Sequence, residues 1–177
     1  MRKLTFFSLL ALVTTTLAFS SRTTWNVDRN YEVAFATRAA KGTFEGLNGR
    51  IQFDPNNLPA SKMDVSVEVN TIETGNSTKN KHAKGKSWFH AEKYPTIRFE
   101  SSAFSKDKDL FRVKGKLTLH GVSKEITIPF TFNDKGTRAV FEGSFTVNRK
   151  DYGIKGNAAG FTVGKDIVID LKVPVKK

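Results

Sequence analysis

Apolar residues occupy alternate positions along most of the chain from Trp25 onward. Alternation with a period of two is typical of β-strands that bury one face, because successive side chains point to opposite sides of a strand. Turn residues such as Asp54-Pro55, His120-Gly121 and Asp134-Lys135-Gly136 separate the alternating runs. The pattern predicts about eight strands, over residues 25–35, 47–53, 63–69, 97–99, 111–119, 126–132, 139–147 and 167–173.

The segment from residue 75 to residue 93 departs from this alternation. It is rich in basic residues, and the apolar Trp88 and Phe89 lie near its end. Because most connections between strands are short, a segment of this length is expected to cross the molecule with one or two short helical turns. No internal repeat, low-complexity tract or linker interrupts the chain, so a single domain is expected.

Eight antiparallel strands with one apolar face each predict an all-β fold. Closure into an eight-stranded antiparallel β-barrel removes the open edges, whereas a sandwich of two sheets keeps them. Gly49, Gly115 and Gly143 fall on predicted inward positions, where they either relieve curvature or leave room for a ligand. An integral outer-membrane barrel is disfavoured, because the aromatic residues are scattered along the strands and do not form two belts.

The amino terminus has the layout of a secretory signal peptide. Arg2 and Lys3 precede a mostly apolar stretch from Leu4 to Ala18, which ends in the small-x-small site Thr16-Leu17-Ala18. This stretch is short for a transmembrane helix, which needs about 20 residues. We therefore expect residues 1–18 to be a cleaved signal peptide and residues 19–177 to form the mature domain. Export and the absence of cysteine together favour the bacterial periplasm.

Composition narrows the chemistry of this domain. The 177 residues include 15 Phe and no Cys, so thiol nucleophiles, disulfides and Cys-ligated metals are excluded. The 3 His form no close His-x-His pair, and no Gly-x-Ser-x-Gly elbow occurs. Neither a metal site nor a catalytic residue is predicted, and the protein is expected not to be an enzyme.

The charge of the chain points to acidic partners. Its 29 Lys and Arg outnumber 17 Asp and Glu, which gives a formal charge of +12. Nucleic acid is disfavoured, since acidic residues are interspersed with basic ones on most strands and export separates the protein from nucleic acid. Much of the charge lies between Lys79 and Lys93, where it is better suited to an anionic head group.

Several motifs resemble those of the YceI-like proteins. They are WNVD at 25–28, GTFEG at 42–46, TGNSTKNKHAKGKSWFHAEKYPTIRFES at 74–101, KGKLTLHGVSKEITIPF at 114–130 and NRKDYGIKGN at 148–157. They occur in the family's order and cover nearly the whole predicted mature chain. The resemblance implies a lipocalin-like barrel in the periplasm with an elongated apolar pocket. It also implies a polyisoprenoid ligand, such as a prenyl pyrophosphate or an isoprenoid quinone, or a fatty-acid-like amide.

The chain departs from the family pattern between residues 79 and 90. The family typically has Arg-Asp-x-His-Leu where this chain has Lys79 to Ala83, and acidic residues around two Phe where this chain has Ser87 and His90. Three customary carboxylates are therefore absent, and with them an Arg-Asp pair able to order the loop. The segment becomes strongly basic, which suits a phosphate, pyrophosphate or carboxylate head group.

These observations predict a periplasmic binding and transport protein that holds a polyisoprenoid or another long-chain amphiphile in its barrel. The apolar wall is assigned to Phe35, Phe53, Val67, Trp88, Phe89, Phe99, Leu117, Phe130, Phe141, Phe145 and Ile169. The head group is assigned to Lys79, His82 and Lys84. For each wall residue, packing in a filled core is the alternative.

The expected partner is a long-chain lipid, and no nucleic acid and no cofactor besides a bound isoprenoid or fatty-acid-like lipid is expected. Transient contact with a membrane surface and a homodimer stay open. Two other functions also stay open: a stress-related or structural periplasmic protein whose barrel is filled by side chains, and an enzyme that acts on the same class of lipid.

Overall fold

The computed structural model describes residues 23–156 and 163–177, so the predicted signal peptide, residues 1–18, lies outside the described residues. Within them the chain forms ten strands and one α-helix, α1 (Ser77–Lys84). The strands are β1 (Thr24–Val27), β2 (Glu32–Ala36), β3 (Lys41–Phe44), β4 (Asn48–Gln52), β5 (Lys62–Glu68), β6 (Thr96–Asp107), β7 (Leu110–Leu119), β8 (Val122–Asp134), β9 (Arg138–Asn148) and β10 (Asp166–Lys176).

The strands form one closed antiparallel sheet. Each strand from β4 to β10 pairs with the next along the chain, and β1 pairs with both β4 and β10 to close the ring. β2 pairs with β10 and with β3, so β1 and β2 are the two halves of one barrel strand, and β3 and β4 are the halves of its neighbour. The molecule is an eight-stranded up-and-down barrel, which confirms the predicted fold class.

The prediction of one continuous strand over residues 25–35 is wrong, because the chain bends between β1 and β2. There the Asp28 carboxylate accepts the Arg29 N–H at 2.7 Å. Gly46, with a φ of 69°, breaks the neighbouring strand between β3 and β4. The Leu47 N–H donates to the Tyr31 hydroxyl at 2.9 Å and so joins the two breaks. The apolar alternation keeps its parity across the first break, so it gives no sign of it.

The connections that the sequence singled out have the expected form. α1 provides two turns of helix in the 75–93 segment. His120 and Gly121 have φ values of 52° and 76° and make the two-residue turn between β7 and β8. Positive φ at both positions suits the right-handed twist of the flanking strands. β6, in contrast, runs to Asp107 and is much longer than the two apolar positions that predicted it.

The two ends of the barrel differ. The connections at residues 37–40, 69–95 and 120–121 meet at one end, which we call the mouth, together with the described parts of the β9–β10 connection at residues 149–156 and 163–165. The connections at residues 53–61, 108–109 and 135–137 meet at the other, which we call the closed end. At the closed end, Phe53 is surrounded by the rings of Phe104, Phe111, Phe130, Phe132 and Phe141, with ring centroids 4.9 to 5.7 Å away. We call this cluster the aromatic floor.

The outer surface of the wall carries charged side chains. Arg98 binds Asp64 on the neighbouring strand through two hydrogen bonds, and Lys114 lies 3.2 Å from Glu125. Such exposed pairs add little stability, but they show which face of each strand meets water. The apolar faces therefore line the interior. In residues 23–156 and 163–177, no helix is both long and apolar enough to cross a membrane.

Candidate functional site

A cavity of about 850 Å³ fills the barrel between the mouth and the aromatic floor. Ten of the predicted wall residues line it: Phe35, Val67, Trp88, Phe89, Phe99, Leu117, Phe130, Phe141, Phe145 and Ile169. Eight of them come from β2 and β5 to β10, where alternation places every second residue inside, and Trp88 and Phe89 come from the segment after α1. The cavity has the size of a typical small-molecule site, and its wall is mainly aliphatic and aromatic.

Phe53 is the exception, and its assignment to the cavity wall is wrong. Its side chain is 1% exposed and lies beneath the cavity, packed against the rings of Phe130 and Phe141. Alternation shows whether a residue points into the barrel, but not how far along the barrel it lies. Phe53 directly follows β4 at the closed end, so it supports the floor and does not border the cavity.

Residues 74–94, which we call the cap segment, cross the mouth. Helix α1 begins after Asn76, whose side-chain oxygen accepts the Lys79 N–H at 2.9 Å and caps the first turn. After the helix, the ring of Phe89 packs edge-on against Phe44 with centroids 5.6 Å apart. Trp88 lies against Arg149, 5.3 Å from the guanidinium carbon to the ring. The cap segment therefore turns two large apolar side chains toward the cavity.

Asn80 anchors the start of the cap segment. Its side-chain oxygen accepts the N–H and the hydroxyl of Thr74 at 2.9 and 2.7 Å, and its amide nitrogen donates to the Glu73 carboxylate at 2.9 Å. Hydrogen bonds from Asn80 and from the Gly75 N–H hold the pKa of Glu73 below its usual range. The family's Asp at this position has no N–H to donate. In this chain the hydrogen bonds of Asn80 with Thr74 and Glu73 therefore order the loop in place of an Arg-Asp pair.

The three predicted head-group residues do not share one location. Lys79 and His82 border the mouth of the cavity, whereas Lys84 does not, so its assignment to the site is wrong. The ammonium group of Lys84 instead lies near enough to Glu73 to help lower the pKa of that carboxyl group. Lys81 and Lys86, which the sequence interpretation passed over, border the cavity instead.

Arg149 is a cavity-lining residue that alternation did not indicate. It is 7% exposed, and its guanidinium donates to the carbonyl oxygens of Ile154 and Lys155 at 2.7 and 2.6 Å and of Val163 and Gly164 at 3.1 Å. Four carbonyl oxygens thus solvate a buried positive charge. The same contacts tie the two ends of the β9–β10 connection together and give Trp88 a planar surface to pack on. In the sequence, Arg149 is marked only by its position in the NRKDYGIKGN motif at 148–157.

The inward glycines have different causes. A Cβ at Gly115 would overlap the carbonyl oxygen of Glu100 and lie 2.6 Å from the ring of Phe99, so this glycine makes room for the neighbouring strand and its aromatic side chain. Gly143 borders the cavity, and a Cβ there would lie 2.6 Å from the carbonyl oxygen of Pro129. Gly115 is therefore explained by packing, and of these two only Gly143 adds space to the cavity.

The histidines lie on three separate segments of the described structure, and His90 and His120 both pack against Tyr94. His82 is on α1, His90 follows the cap helix with a φ of 48°, and His120 is in the β7–β8 turn. The Nδ1–H of His120 donates to the carbonyl oxygen of Tyr152 at 3.1 Å, and its ring packs against Tyr94. Among residues 23–156 and 163–177, no three His, Cys, Asp or Glu side chains lie close enough together to hold a metal ion.

A closed up-and-down barrel with an internal cavity belongs to the class of β-barrels that are large enough to enclose a small molecule. Within that class, the chain is a member of the YceI-like family, since the model of the YceI-like domain matches residues 20–175. The resemblance drawn from the motifs is thereby confirmed.

Two curated relatives are UPF0312 proteins. The one from Photorhabdus laumondii is 29% identical over 137 residues, which cover 74% of this chain and 71% of the relative. The one from Pseudomonas savastanoi pv. phaseolicola is 38% identical over 122 residues, which cover 65% of this chain and 64% of the relative. The second match thus spans slightly less than two thirds of the relative.

Solved structures share the fold. Burkholderia cenocepacia BcnA has a TM-score of 0.79 at 24% identity, with 84% of this chain and 99% of BcnA covered. A polyisoprenoid binding domain from Saccharophagus degradans has a TM-score of 0.72 at 16% identity, with 88% of this chain and 99% of that domain covered. At these identities the likeness concerns the fold alone, and it agrees with the predicted lipocalin-like barrel.

Proposed function

We propose that the protein is an exported carrier that holds a polyisoprenoid or another long-chain amphiphile in its cavity and releases it chemically unchanged. The observation that carries this proposal is an apolar cavity of about 850 Å³ with a closed floor. Burial of one methylene group contributes about 0.8 kcal/mol, so a long chain is held with few polar contacts. The Saccharophagus domain, described as polyisoprenoid binding, makes an isoprenoid the first ligand to test.

The distribution of polar groups supports one orientation of the lipid. Lys79 and His82, together with Lys81 and Lys86, border the mouth, whereas the floor consists of phenylalanine rings. The tail of an amphiphile therefore points to the floor and its head group lies under or beside the cap segment. Positive charge at this position favours a phosphate, pyrophosphate or carboxylate head.

The mouth is also the basic end of the barrel, and we propose that it touches an anionic membrane surface when lipid is exchanged. Apart from the buried Arg149, the connections at the mouth contain nine basic and three acidic residues, whereas those at the closed end contain two of each. Each lysine or arginine near an anionic bilayer contributes about 1 kcal/mol. Such contact would place the cavity opening next to the lipid.

The periplasm stays the proposed location, on the basis of the predicted signal peptide and the absence of cysteine. The homodimer stays a prediction. Because the described residues of one chain surround the cavity, the proposed binding needs no second copy.

Lipid that stays bound during purification tests the proposal directly. We expect native mass spectrometry of freshly purified protein to show an added mass, and organic extraction to release a long-chain lipid. The variant Leu117→Trp fills the cavity from β7 and should retain much less lipid. Lys116→Trp, one residue earlier and on the outer face of the same strand, is the matched control and should retain as much as the natural protein.

The possible outcomes distinguish a lipid carrier from a filled barrel and from an enzyme. Protein that stays empty after exposure to prenyl and fatty lipids would favour a barrel filled by its own side chains and would refute the carrier. Conversion of the bound lipid during incubation would indicate an enzyme. Equal lipid content in Leu117→Trp and Lys116→Trp would show that the lipid binds outside the cavity.

A further inference from the structure

We infer that Arg149 selects the head group of the bound lipid, because its buried guanidinium accepts an anionic head as the counter-charge that the protein does not supply. This inference rests on the proposed function and names the residue that decides the specificity of the same cavity. The lysines of the cap segment attract an anionic amphiphile to the mouth, whereas Arg149 distinguishes it from a neutral one. The ligand class is a long-chain carboxylate or phosphate.

Arg149 is a buried charge without a carboxylate partner. It is 7% exposed and begins a short 3-10 helix after β9. All 17 Asp and Glu residues belong to the described parts of the chain, and within those parts none of them forms an ion pair with Arg149. Buried charges are normally paired, because the removal of an ion from water is costly. The charge of Arg149 therefore lacks the compensation that a carboxylate would give.

Backbone carbonyl groups solvate this charge but do not neutralise it. The guanidinium donates to the carbonyl oxygens of Ile154, Lys155, Val163 and Gly164, none of which carries a net charge. These four bonds use all but one of its donors, since Nη2 has two N–H groups and the described residues provide an acceptor for one of them. An oxygen of an anionic head group can supply both an acceptor for the other N–H and the negative charge.

The guanidinium borders the cavity next to the cap segment. Arg149 and its carbonyl partners Ile154 and Val163 all line the cavity, and the ring of Trp88 lies 5.3 Å from the guanidinium carbon. A Cβ at Gly156, which has a φ of 68°, would lie 2.9 Å from that ring, so this glycine lets the ring approach. In such apolar surroundings an ionic hydrogen bond is stronger than in water. The guanidinium is thus fixed in place, and its attraction for an anion is little weakened by solvent.

The lysines of the cap segment differ from Arg149 in their exposure. Lys79, Lys81 and Lys86 border the cavity, but all three are exposed. Dissolved salt screens exposed charges beyond about 10 Å at about 0.1 M, whereas buried charges are screened much less. The contribution of the lysines to lipid binding should therefore fall with added salt, and that of Arg149 should persist. Salt thus separates attraction to the mouth from selection inside the cavity.

Two pairs of lipids with matched tails test the inference: oleate with oleyl alcohol, and geranylgeranyl phosphate with geranylgeraniol. Their affinities are measured by displacement of the neutral fluorescent probe Nile red from the cavity. We expect the natural protein to bind the anionic member of at least one pair about tenfold more tightly, as for one hydrogen bond between charged groups. The preference should persist when salt is raised from about 50 to about 500 mM. Preference in one pair alone supports the inference and identifies carboxylate or phosphate as the head group.

Two variants of Arg149 separate its charge from its structural contacts. Arg149→Gln removes the charge and should abolish the preference. Arg149→Lys keeps the charge but cannot bind all four carbonyl oxygens, so it should retain part of the preference although the connection is weakened. Replacement of Lys79, Lys81 and Lys86 by Gln is the control for exposed charge. It should weaken binding of the anionic lipids at low salt and leave their preference at high salt unchanged.

The variant Val163→Glu tests the role of Arg149 without removing it. Val163 lines the cavity and its carbonyl oxygen accepts from Nη2, so a glutamate there can supply the counter-charge from within the protein. The preference for the anionic lipid should then be lost. Val163→Gln is the matched control, since it has the same size without the charge and should retain the preference. This pair keeps the test decisive if neither variant of Arg149 folds.

The outcomes distinguish this inference from the proposed function. If no lipid of either pair binds to the natural protein, the proposed function fails. If both members of each pair bind equally at high salt, or if Arg149→Gln and Arg149→Lys show the same preference, the protein binds lipid but Arg149 does not select it. Equal preference in Val163→Glu and Val163→Gln would also overturn the inference. Loss of the preference at high salt in the lysine variant would assign the selection to the cap segment instead.

Discussion

Asn80 shows how one side chain can replace a charged pair. Its amide offers an acceptor to Thr74 and a donor to Glu73, so three hydrogen bonds converge on one residue at the start of the cap segment. A carboxylate in the same place would still accept from Thr74, but it would have no donor for Glu73 and would repel it. The basic cap segment of this chain thus depends on a neutral residue at position 80.

We expect Asn80→Asp to loosen the cap segment at neutral pH. The reason is the repulsion between the introduced carboxylate and Glu73, whose pKa lies below its usual range in the natural protein. Hydrogen exchange of residues 74–94, followed by mass spectrometry, should become faster than in the natural protein, while exchange in β6 and β7 stays the same. Asn80→Ala is the control that removes the hydrogen bonds without adding charge, and it should have a smaller effect.

The same pair gives the cap segment a defined dependence on pH. Because the pKa of Glu73 is lowered in the folded protein, its contribution is present above the ordinary glutamate pKa and is lost as the pH falls through the lowered value. The difference between Asn80→Asp and the natural protein should therefore shrink in acid. A difference that persists unchanged at acid pH would show that charge repulsion is not its cause.

At the scale of the elements, the ladder between β8 and β9 is open toward the mouth. These strands pair only from Phe130–Gly143 to Asp134–Ala139, whereas β8 pairs with β7 up to Val122 and β9 pairs with β10 up to Asn148. Pro129 lacks the N–H that the next pair would need. Toward the mouth, the two strands therefore have no ladder between them in the described structure.

This open part of the ladder should be visible in the exchange of single amides by NMR. In residues 123–128 and 144–148, the amides that are not bonded to β7 or β10 should exchange much faster than their neighbours, since no strand protects them. The result would be an alternating pattern along both strands. β6 and β7, which are paired along nearly their whole length, provide the reference. Uniform protection across β8 and β9 would contradict an open ladder.

At the scale of the whole molecule, charge and cavity share one end. A protein with its basic residues spread evenly would bind an anionic surface in any orientation. Here the connections at the mouth contain nine basic residues besides the buried Arg149, against three acidic residues, and so favour one orientation. The uneven distribution supports the proposed contact of the mouth with an anionic membrane surface.

Vesicles that contain phosphatidylglycerol test this orientation. Replacement of the exposed Lys79, Lys81 and Lys86 by Gln should weaken sedimentation with the vesicles by about a hundredfold at low salt, from about 1 kcal/mol per lysine. The same replacement of Lys62, Lys108 and Lys135 near the closed end is the matched control and should have little effect. Equal losses in the two variants would show that only net charge matters. Binding of the natural protein should also fall with added salt.

Alternation predicts the barrel and eight of the ten predicted wall residues that border the cavity, because the period of two assigns each residue to the inner or outer face. Trp88 and Phe89, the other two, are indicated by their position in the long segment between β5 and β6. Alternation could not separate Phe53 from Phe141, since height along the barrel depends on strand register and tilt. Nor does it indicate Arg149, which begins a short 3-10 helix (Arg149–Tyr152) after β9 and is held by backbone carbonyl groups. The sequence also does not predict which side of the short helix α1 faces the cavity, and so places Lys84 wrongly. That orientation depends on the hydrogen bonds of Asn80 with Thr74 and Glu73.

The pairing of β1 with β10 brings two distant parts of the chain together at the closed end. Asn26 pairs with Lys176, and the ammonium group of Lys177 lies 4.9 Å from the ring of Trp25. A strand of 11 residues, tilted as in other barrels, separates this point from the mouth by about 27 Å. A fluorescent reporter or a surface linker attached after Lys177 would therefore stand behind the floor and leave the opening free, which makes this barrel suited to immobilised lipid sensing.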